Sequence, residues 1–239
     1  MVAGVAHELN TPIGVAITAT SFLKQKKEEF FQKLLDGKIS KHDLEIYLEA
    51  VEESSEIVSR NMERASDLIS SFKRVAIDQE KMLKERMNLD EIVEATVKSL
   101  SLEIKKKFAK VDLSFSGDLS CESYPGVWSQ VMTNLIQNSL LHAFHDVEMP
   151  NIGIRCYEDK EHELIIINYW DNGRGINSED LDRIYDPFYT TAAGSGGTGL
   201  GMNIVFNLVT ATLMGEIQYK EYSEYGVFFE IIVPKYSLS

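Results

Sequence analysis

The run Val5-Ala6-His7-Glu8-Leu9-Asn10-Thr11-Pro12-Ile13-Gly14 puts an imidazole, a carboxylate and a hydroxyl beside one another. On a helix His7 and Thr11 sit one turn apart and project from the same face. Pro12 removes the N–H that would reach the carbonyl of Glu8, so the backbone is expected to loosen beside them. An imidazole becomes a nucleophile when a neighbour takes the proton from its other ring nitrogen, and Glu8 is the nearest candidate base. A second group of residues suits anions and amines. Gly194-Ser195-Gly196-Gly197-Thr198-Gly199-Leu200-Gly201 precedes an apolar helix, and such glycines let successive N–H groups turn toward a phosphate. It lacks the Lys-Ser/Thr ending of a P-loop and does not follow a strand as a dinucleotide fingerprint does. Asp171-Asn172-Gly173-Arg174-Gly175-Ile176 follows the strand-like Ile165–Trp170, which sets a carboxylate at a strand end where it can accept from a purine amine. Asn134, Asn138 and His142 share a helical face opposite Val131, Leu135 and Leu141; neutral oxygens there suit a Mg²⁺ that takes its other ligands from phosphates and water. Asp186-Pro187-Phe188-Tyr189-Thr190-Thr191 forms an apolar hinge ahead of the glycines, placed to carry a lid. Taken singly, each has a plainer reading: a surface His-Glu pair, a loose loop, a turn, a polar helix face.

The elements that must position these residues fall into two parts. From Leu9, apolar or small residues recur at Ile13, Ala16, Thr20, Leu23, Phe30 and Leu34, a heptad-like seam that leaves His7, Glu8 and Thr11 outside it. Asp36-Gly37-Lys38 breaks the helix, and Ser40 is placed to cap the next. A second seam follows through Leu44, Leu48, Val51, Ser55, Val58, Met62, Ala65, Ile69, Phe72 and Ala76. One hairpin buries two such stripes poorly, so pairing with a second copy into a four-helix bundle is expected. The polar stretch from Asp78 to Arg86 reads as a linker or helix end. Beyond it, helices are expected over Asp90 to Lys107, Pro125 to His145 and Gly201 to Leu213. Strands are expected over Val111–Phe115, Ile152–Tyr157, Glu163–Trp170, Glu216–Tyr222 and Val227–Val233. The fold class is therefore α+β: a long antiparallel helical hairpin over residues 1–85, then a two-layer α/β sandwich over 86–239.

Composition narrows the partners. The 239 residues carry 37 acidic against 24 basic side chains, a formal charge of -13, which argues against nucleic-acid binding through a basic surface. Cys121 and Cys156 are too few and too scattered for a disulfide framework or a metal cluster, so a reducing, cytoplasmic setting fits best. No apolar run approaches bilayer length and no signal peptide is present. Because the chain opens almost on the His7 box, a fragment is expected. Its upstream part would hold any membrane anchor, and the fragment itself would make no direct membrane contact.

These pieces, in this order, resemble the catalytic core of two-component sensor histidine kinases. The resemblance runs from about residue 1 to residue 235. His7 matches the phospho-acceptor, Asn134 and Asn138 the N box, Asp171 to Gly175 the G1 box, Pro187 to Thr191 the F box, and Gly197 to Gly201 the G2 box. What the resemblance implies is a dimerising hairpin that carries the phosphohistidine, followed by a Bergerat-type ATP-binding sandwich. Its cofactors would be ATP and Mg²⁺, its partners a second copy and the receiver domain of a response regulator. Catalysis would rest on His7, Glu8 as base, and Thr11 positioning water when a regulator is dephosphorylated. Nucleotide would be held by Asn134, Asn138, His142, Asp171, Gly173, Gly175, Ile176, Phe188, Thr190, Thr191, Gly197, Thr198, Gly199, Leu200 and Gly201. Asn138 with Asn134 would hold the metal, and Asp171 would read the adenine.

Departures from the family pattern are Asn10 and Leu141 where a basic residue is frequent, His142 where an aromatic ring often stands, and Ala192-Ala193 after Thr191. The missing basic residues give weight to an alternative, a dimeric nucleotide-binding scaffold that signals without kinase activity. A gyrase- or chaperone-like ATPase would need a glutamate to activate water where Asn134 stands.

Overall fold

The interrupted heptad seam folds as two long helices. The computed structural model describes residues 2–77, 83–191 and 199–236. It forms two compact units, Met1–Arg74 and Val75–Ser239. Helix α1 runs Val2–Leu35 without interruption, with Pro12 inside it, and α2 runs Lys41–Ile77. Between them Gly37 adopts φ +64°, and the N–H groups of Gly37 and Lys38 close on the carbonyls of Leu34 and Lys33 at 3.1 and 3.0 Å. That is a glycine-terminated helix end in which the last carbonyls find donors. Ser40 starts α2 through a reciprocal cap: Asp43 N–H donates to Ser40 Oγ at 3.1 Å, and Ser40 N–H donates to Asp43 Oδ2 at 2.9 Å. Lys33 and Ser40 together hold the Asp43 carboxyl well below the usual carboxylate range.

Among the described residues of this unit the buried ones are Pro12, Ala16 and Ala19 on α1 and Ala50, Ser54 and Ala65 on α2. Only Ala16 and Ala65 lie on the expected seams; Ala19, Ala50 and Ser54 fall beside them. Phe30 stacks on Tyr47 at 4.9 Å. The large seam residues Ile13, Leu34, Leu44, Leu48, Met62 and Ile69 are exposed within the chain. Thr20 and Leu23 of α1 and Ser54, Ser55, Val58 and Ser59 of α2 line an open groove.

The second unit is a five-stranded sheet in the order β2-β4-β5-β7-β6 with helices on one face. Its strands are β2 Lys110–Ser116, β4 Asn151–Asp159, β5 Leu164–Asp171, β6 Glu216–Tyr219 and β7 Val227–Pro234. Only β2 and β4 run parallel; the other neighbours are antiparallel. Helices α5 (Pro125–Asn138) and α6 (Gly201–Asn207) open where expected, whereas the helix expected from Asp90 to Lys107 breaks at Leu100 into α3 (Leu89–Ser99) and α4 (Ser101–Lys106). The core joins Leu89 and Val93 of α3, Trp128, Val131, Met132, Leu135 and Ile136 of α5, and Val205 of α6 to Ile152, Ile154, Ile165, Ile167 and Ile231 of the sheet. Burying one such side chain is worth about 1.5–3 kcal/mol, so this two-layer contact dominates the unit.

Two further expectations need correction. The Pro125 and Gly201 helices do not run on unchanged: each ends in a π-helical turn, Ser139–Ala143 and Leu208–Thr212. A small two-stranded sheet, β1 (Glu85–Asn88) against β3 (Ser120–Ser123), also begins inside the stretch read as linker. Both strands are short and polar, and each buries one residue, Met87 opposite Cys121, too little for alternation to show. The remainder of that linker, 78–82, lies outside the described residues. Among the described residues no helix is long and apolar enough to cross a membrane.

One contact in the sheet supports a direct test. Gly153 faces Trp170 in register across β4 and β5, and a Cβ on Gly153 would come within 2.0 Å of the indole. Gly153→Ala should cost about 1–3 kcal/mol by overpacking, measured by denaturant unfolding. An unchanged midpoint would mean that the indole turns aside freely.

Candidate functional site

Period two along β5 buries a carboxylate. Ile165, Ile167, Tyr169 and Asp171 alternate onto the helix-covered face, so the strand's last residue falls in phase with its apolar row. Asp171 is 1% exposed. Its Oδ1 accepts from Gly173 N–H at 3.0 Å, and its Oδ2 lies 2.6 Å from Ser139 Oγ. Ser139 Oγ is also 2.7 Å from the Tyr169 hydroxyl, which donates to the Leu135 carbonyl at 2.9 Å. Burial pushes the Asp171 carboxyl up, opposed by the hydroxyl of Ser139 and the N–H groups of Gly173 and Val227.

Around this carboxylate three backbones meet with no room for side chains. A Cβ on Gly173 would lie 2.4 Å from Ala143 Cβ, one on Gly175 (φ +76°) 2.8 Å from the Gly226 carbonyl, and one on Gly226 2.2 Å from the Gly173 carbonyl. Arg174 N–H donates to Ala143 O at 3.1 Å, and Gly226 N–H donates to Asp171 O at 2.8 Å. The glycines therefore allow the turn after β5 to lie directly on the end of the π-helical turn and on the β6–β7 turn. Ile176 packs against the hydrophobic core from the same turn.

Asn138 closes α5 beside the start of α6. A Cβ on Gly201 would lie 3.0 Å from Asn138 Oδ1, and Asn138 Nδ2 is buried with no hydrogen-bond partner. A buried amide that lacks a partner beside a glycine fits a bound oxygen ligand. Asn134, one turn earlier, donates Nδ2 to Gln130 O at 2.9 Å, which leaves its carbonyl oxygen as the atom able to ligate. A hard cation is thus compatible with the two amide oxygens. Among the described residues no group of three or more His, Cys, Asp or Glu could hold a metal. His142, inside the π-helical turn, faces Thr191, with Nδ1 3.4 Å from its hydroxyl, and Arg174 Nη2 donates to the same hydroxyl at 3.3 Å.

The hinge also meets the glycine loop. Phe188 takes a left-handed φ of +69°, which strains a bulky residue. Gly199 (φ +66°) lies so close that its Cβ would approach the Phe188 carbonyl carbon to 2.3 Å. Asn203 Nδ2 of α6 donates to Tyr185 O at 2.8 Å, tying that helix to the residues before the hinge. Thr190 is half-buried, and Leu200 is buried at the entry to α6. Gly197 and Thr198 lie outside the described residues. In the other unit the backbone of His7 and Glu8 is helical, their side chains are outside the described set, and Thr11 is exposed on α1.

The sequence reading missed Ser139, Tyr169, Ala143 and Gly226. Gly226 lies between the strands expected over Glu216–Tyr222 and Val227–Val233, which marks a turn and no more. Ser139 carried no signal, because a regular helix gives no sign that the next step will be a π-turn. Both cysteines are buried, with their thiols pushed up to about 11 for Cys121 and about 12 for Cys156, which leaves them inert at neutral pH.

Comparison with known proteins agrees with this geometry. Residues 125–237 match the family described as "Histidine kinase-, DNA gyrase B-, and HSP90-like ATPase". The chain is 27% identical to the sensor protein kinase PilS of Pseudomonas aeruginosa over 97% of its length, and 28% identical to the sensor protein SrrB of Staphylococcus aureus over 98%. It spans 39% and 37% of those two relatives. Among solved structures, the catalytic domain of histidine kinase ThkA aligns at TM-score 0.55 and 26% identity, covering 65% of this chain and 97% of that one. Histidine kinase AdeS of Acinetobacter baumannii shares the fold at TM-score 0.57 and 22% identity, covering 96% and 98%.

The cleft makes one electrostatic prediction. Burial, then the Arg174 guanidinium, then His145 hold the His142 imidazole below its ordinary range. Arg174→Gln should raise the His142 midpoint toward that range in a histidine NMR titration, since the second cause is removed and the first remains. A midpoint that stays fixed or falls would place Arg174 elsewhere.

Proposed function

We infer that this chain, which carries the catalytic core of a two-component sensor histidine kinase, transfers the γ-phosphoryl group of ATP to His7. It then passes that group to an aspartate on the receiver domain of a response regulator. The observation that carries the reading is the buried Asp171 carboxylate, bonded to Ser139, next in the chain to the unpartnered Asn138 amide that lies against Gly201. The first suits a base amine and the second suits a metal-bound phosphate. In this reading residues 1–85 form the dimerisation and phosphotransfer hairpin and residues 86–239 the ATP-binding domain. One solved relative, histidine kinase ThkA in complex with response regulator protein TrrA, shares the fold at TM-score 0.64 and 20% identity and covers 98% of this chain. That complex holds the kind of partner proposed here.

The chemistry asked of each residue is modest. Phosphoryl transfer needs positioning and charge neutralisation more than covalent help. A ring nitrogen of His7 attacks the γ-phosphorus, the bond to the β–γ bridging oxygen breaks, and ADP departs. Glu8 takes the proton from the other ring nitrogen. Asp171 accepts from the adenine amine, Gly173, Gly175 and Ile176 shape the base pocket, and Phe188, Thr190 and Thr191 border it. Gly197, Thr198, Gly199, Leu200 and Gly201 wrap the phosphates, with His142 beside them. Asn138 and Asn134 would hold Mg²⁺, which when bound supplies positive charge to the phosphate oxygens. Thr11 would orient water for removal of phosphate from a receiver. In this reading these domains work in the cytoplasm and make no membrane contact of their own.

His7→Ala should abolish the acid-labile, base-stable label left by radiolabelled ATP while nucleotide affinity stays unchanged. Glu8→Gln should slow labelling by roughly 10²–10⁴-fold, the usual range for loss of a general base. Label persisting in the His7 variant would remove the acceptor assignment.

The exposed Leu44, Leu48 and Met62 and the open groove that Val58 lines support a homodimer as part of this proposal. A second hairpin would cover them as a four-helix bundle. Light scattering should give twice the chain mass for the wild type, and Val58→Glu with Met62→Glu should give monomer or an unfolded hairpin. Wild-type monomer at micromolar concentration would refute the bundle.

A further inference from the structure

The three oxygen contacts behind Asp171 cannot all be hydrogen bonds unless Asp171 carries a proton. Three bridges run in series: Asp171 Oδ2 to Ser139 Oγ at 2.6 Å, Ser139 Oγ to Tyr169 Oη at 2.7 Å, and Tyr169 Oη to Leu135 O at 2.9 Å. Each lies within hydroxyl hydrogen-bond range. Each bridge needs one proton, each hydroxyl supplies one, and a carbonyl supplies none. Tyr169 must donate to Leu135, so Ser139 must donate to Tyr169. The remaining proton must then sit on Asp171 and be donated to Ser139. With Asp171 ionised the chain has to reverse, Tyr169 donating to Ser139 and Ser139 to the carboxylate. The Tyr169–Leu135 bond is then lost, and Leu135 O is still served by the backbone N–H of Ser139.

We propose that Ser139 and Tyr169 are positioning residues that form a reversible hydroxyl relay. The relay keeps a proton on Asp171 while the base pocket is empty. It turns around when Asp171 releases that proton to solvent and accepts an adenine amine on Oδ1. The proposal rests on the kinase reading above and adds that nucleotide binding is coupled to proton release. A free amine donor bonds more strongly to a carboxylate than to a neutral acid, so the ligand favours the ionised form. Burial of Asp171, which disfavours its charge, acts in the same sense in the empty protein. The groups packed around it do not compete for the proton. Ile152 and Val227 oppose it on β4 and β7, and Gly173 follows it in the turn. Tyr169 on β5 and Tyr219 on β6 both have hydroxyls that burial pushes up.

The test is calorimetric titration of the full chain with ADP, in buffers of unequal ionisation heat, from about pH 5 to about pH 8. Proton release should approach one per ADP at the acid end and vanish at the alkaline end. The dissociation constant should fall roughly tenfold per pH unit up to the Asp171 midpoint and then level off. Tyr169→Phe removes two of the three bonds of the protonated state but only one of the ionised state, so the break should move to lower pH. Ser139→Ala removes the charge-assisted bond from the hydroxyl to the carboxylate, which outweighs the neutral bonds lost from the protonated state, so the break should move to higher pH and affinity near neutrality should fall. Opposite shifts are what mere loss of packing would not produce. ADP affinity independent of pH with no proton release, or shifts of the same sign in both variants, would overturn the relay. Carboxyl-carbon NMR of the nucleotide-free protein reads the same midpoint without a ligand. Failure of the wild type to bind ADP would therefore count against the kinase reading, while the Asp171 midpoint and its shift in Tyr169→Phe would still decide the relay.

Discussion

The second unit is arranged around one constraint: the apolar row of β5 ends in a carboxylate. Ile165, Ile167 and Tyr169 must face the helices to build the core, and a strand turns every second residue the same way. Asp171 therefore inherits a buried place that its charge disfavours. The surrounding structure answers with donors rather than with a counter-ion. Gly173 and Val227 offer backbone N–H groups, and Ser139 offers a hydroxyl that donates once Asp171 is ionised. A salt bridge would have consumed the carboxylate; N–H and O–H partners leave it able to receive one more donor. The same constraint explains the glycines at Gly173, Gly175 and Gly226, since the chain must leave the strand against two other backbones at once.

The π-helical turn after Asn138 is the second half of that arrangement. It carries Ser139 to Asp171, His142 toward Thr191 and Ala143 under Gly173, three contacts made within one short segment. Insertions of this kind into a helix recur where a side chain has to be re-aimed. The matching turn after Asn207 lets Val209 enter the core. The cleft is thus bordered by distortions in both helices that flank it.

Much of this was legible in the residues. The helix break at Gly37, the cap at Ser40, the strand ending at Asp171 and the opening of α5 at Pro125 all follow from local chemistry that acts within a few residues. What could not be read was long-range or phase-dependent. Nothing in Ser139 announces the step that turns it inward, and nothing in Gly226 says that it will lie on Gly173 from the far end of the chain. The β1–β3 pair escaped because its burial is one residue deep on each strand. The apolar stripes of the hairpin were visible, but which residues one chain buries was not: Ala19, Ala50 and Ser54 lie beside the seams that periodicity picks out, and Ile13, Leu44 and Leu48 on those seams are exposed.

That pattern bears on how the first unit is stabilised. The buried residues of α1 and α2 are mostly small, and small side chains bury little apolar area and contribute correspondingly little, about 25 cal/mol per Å². The larger residues, Ile13, Leu34, Leu44, Leu48, Met62 and Ile69, hold most of the area that could be gained, and within one chain they remain uncovered. Isolated helical hairpins draw their stability chiefly from packing of the apolar face. The stability of this hairpin is therefore tied to whatever covers that face. In the four-helix bundle proposed above, assembly and the placement of the His7 helix would be set by the same contacts. A change that loosened the bundle would then reach His7 along an unbroken helix, because α1 continues from the exposed seam to the His7 box without a break at Pro12.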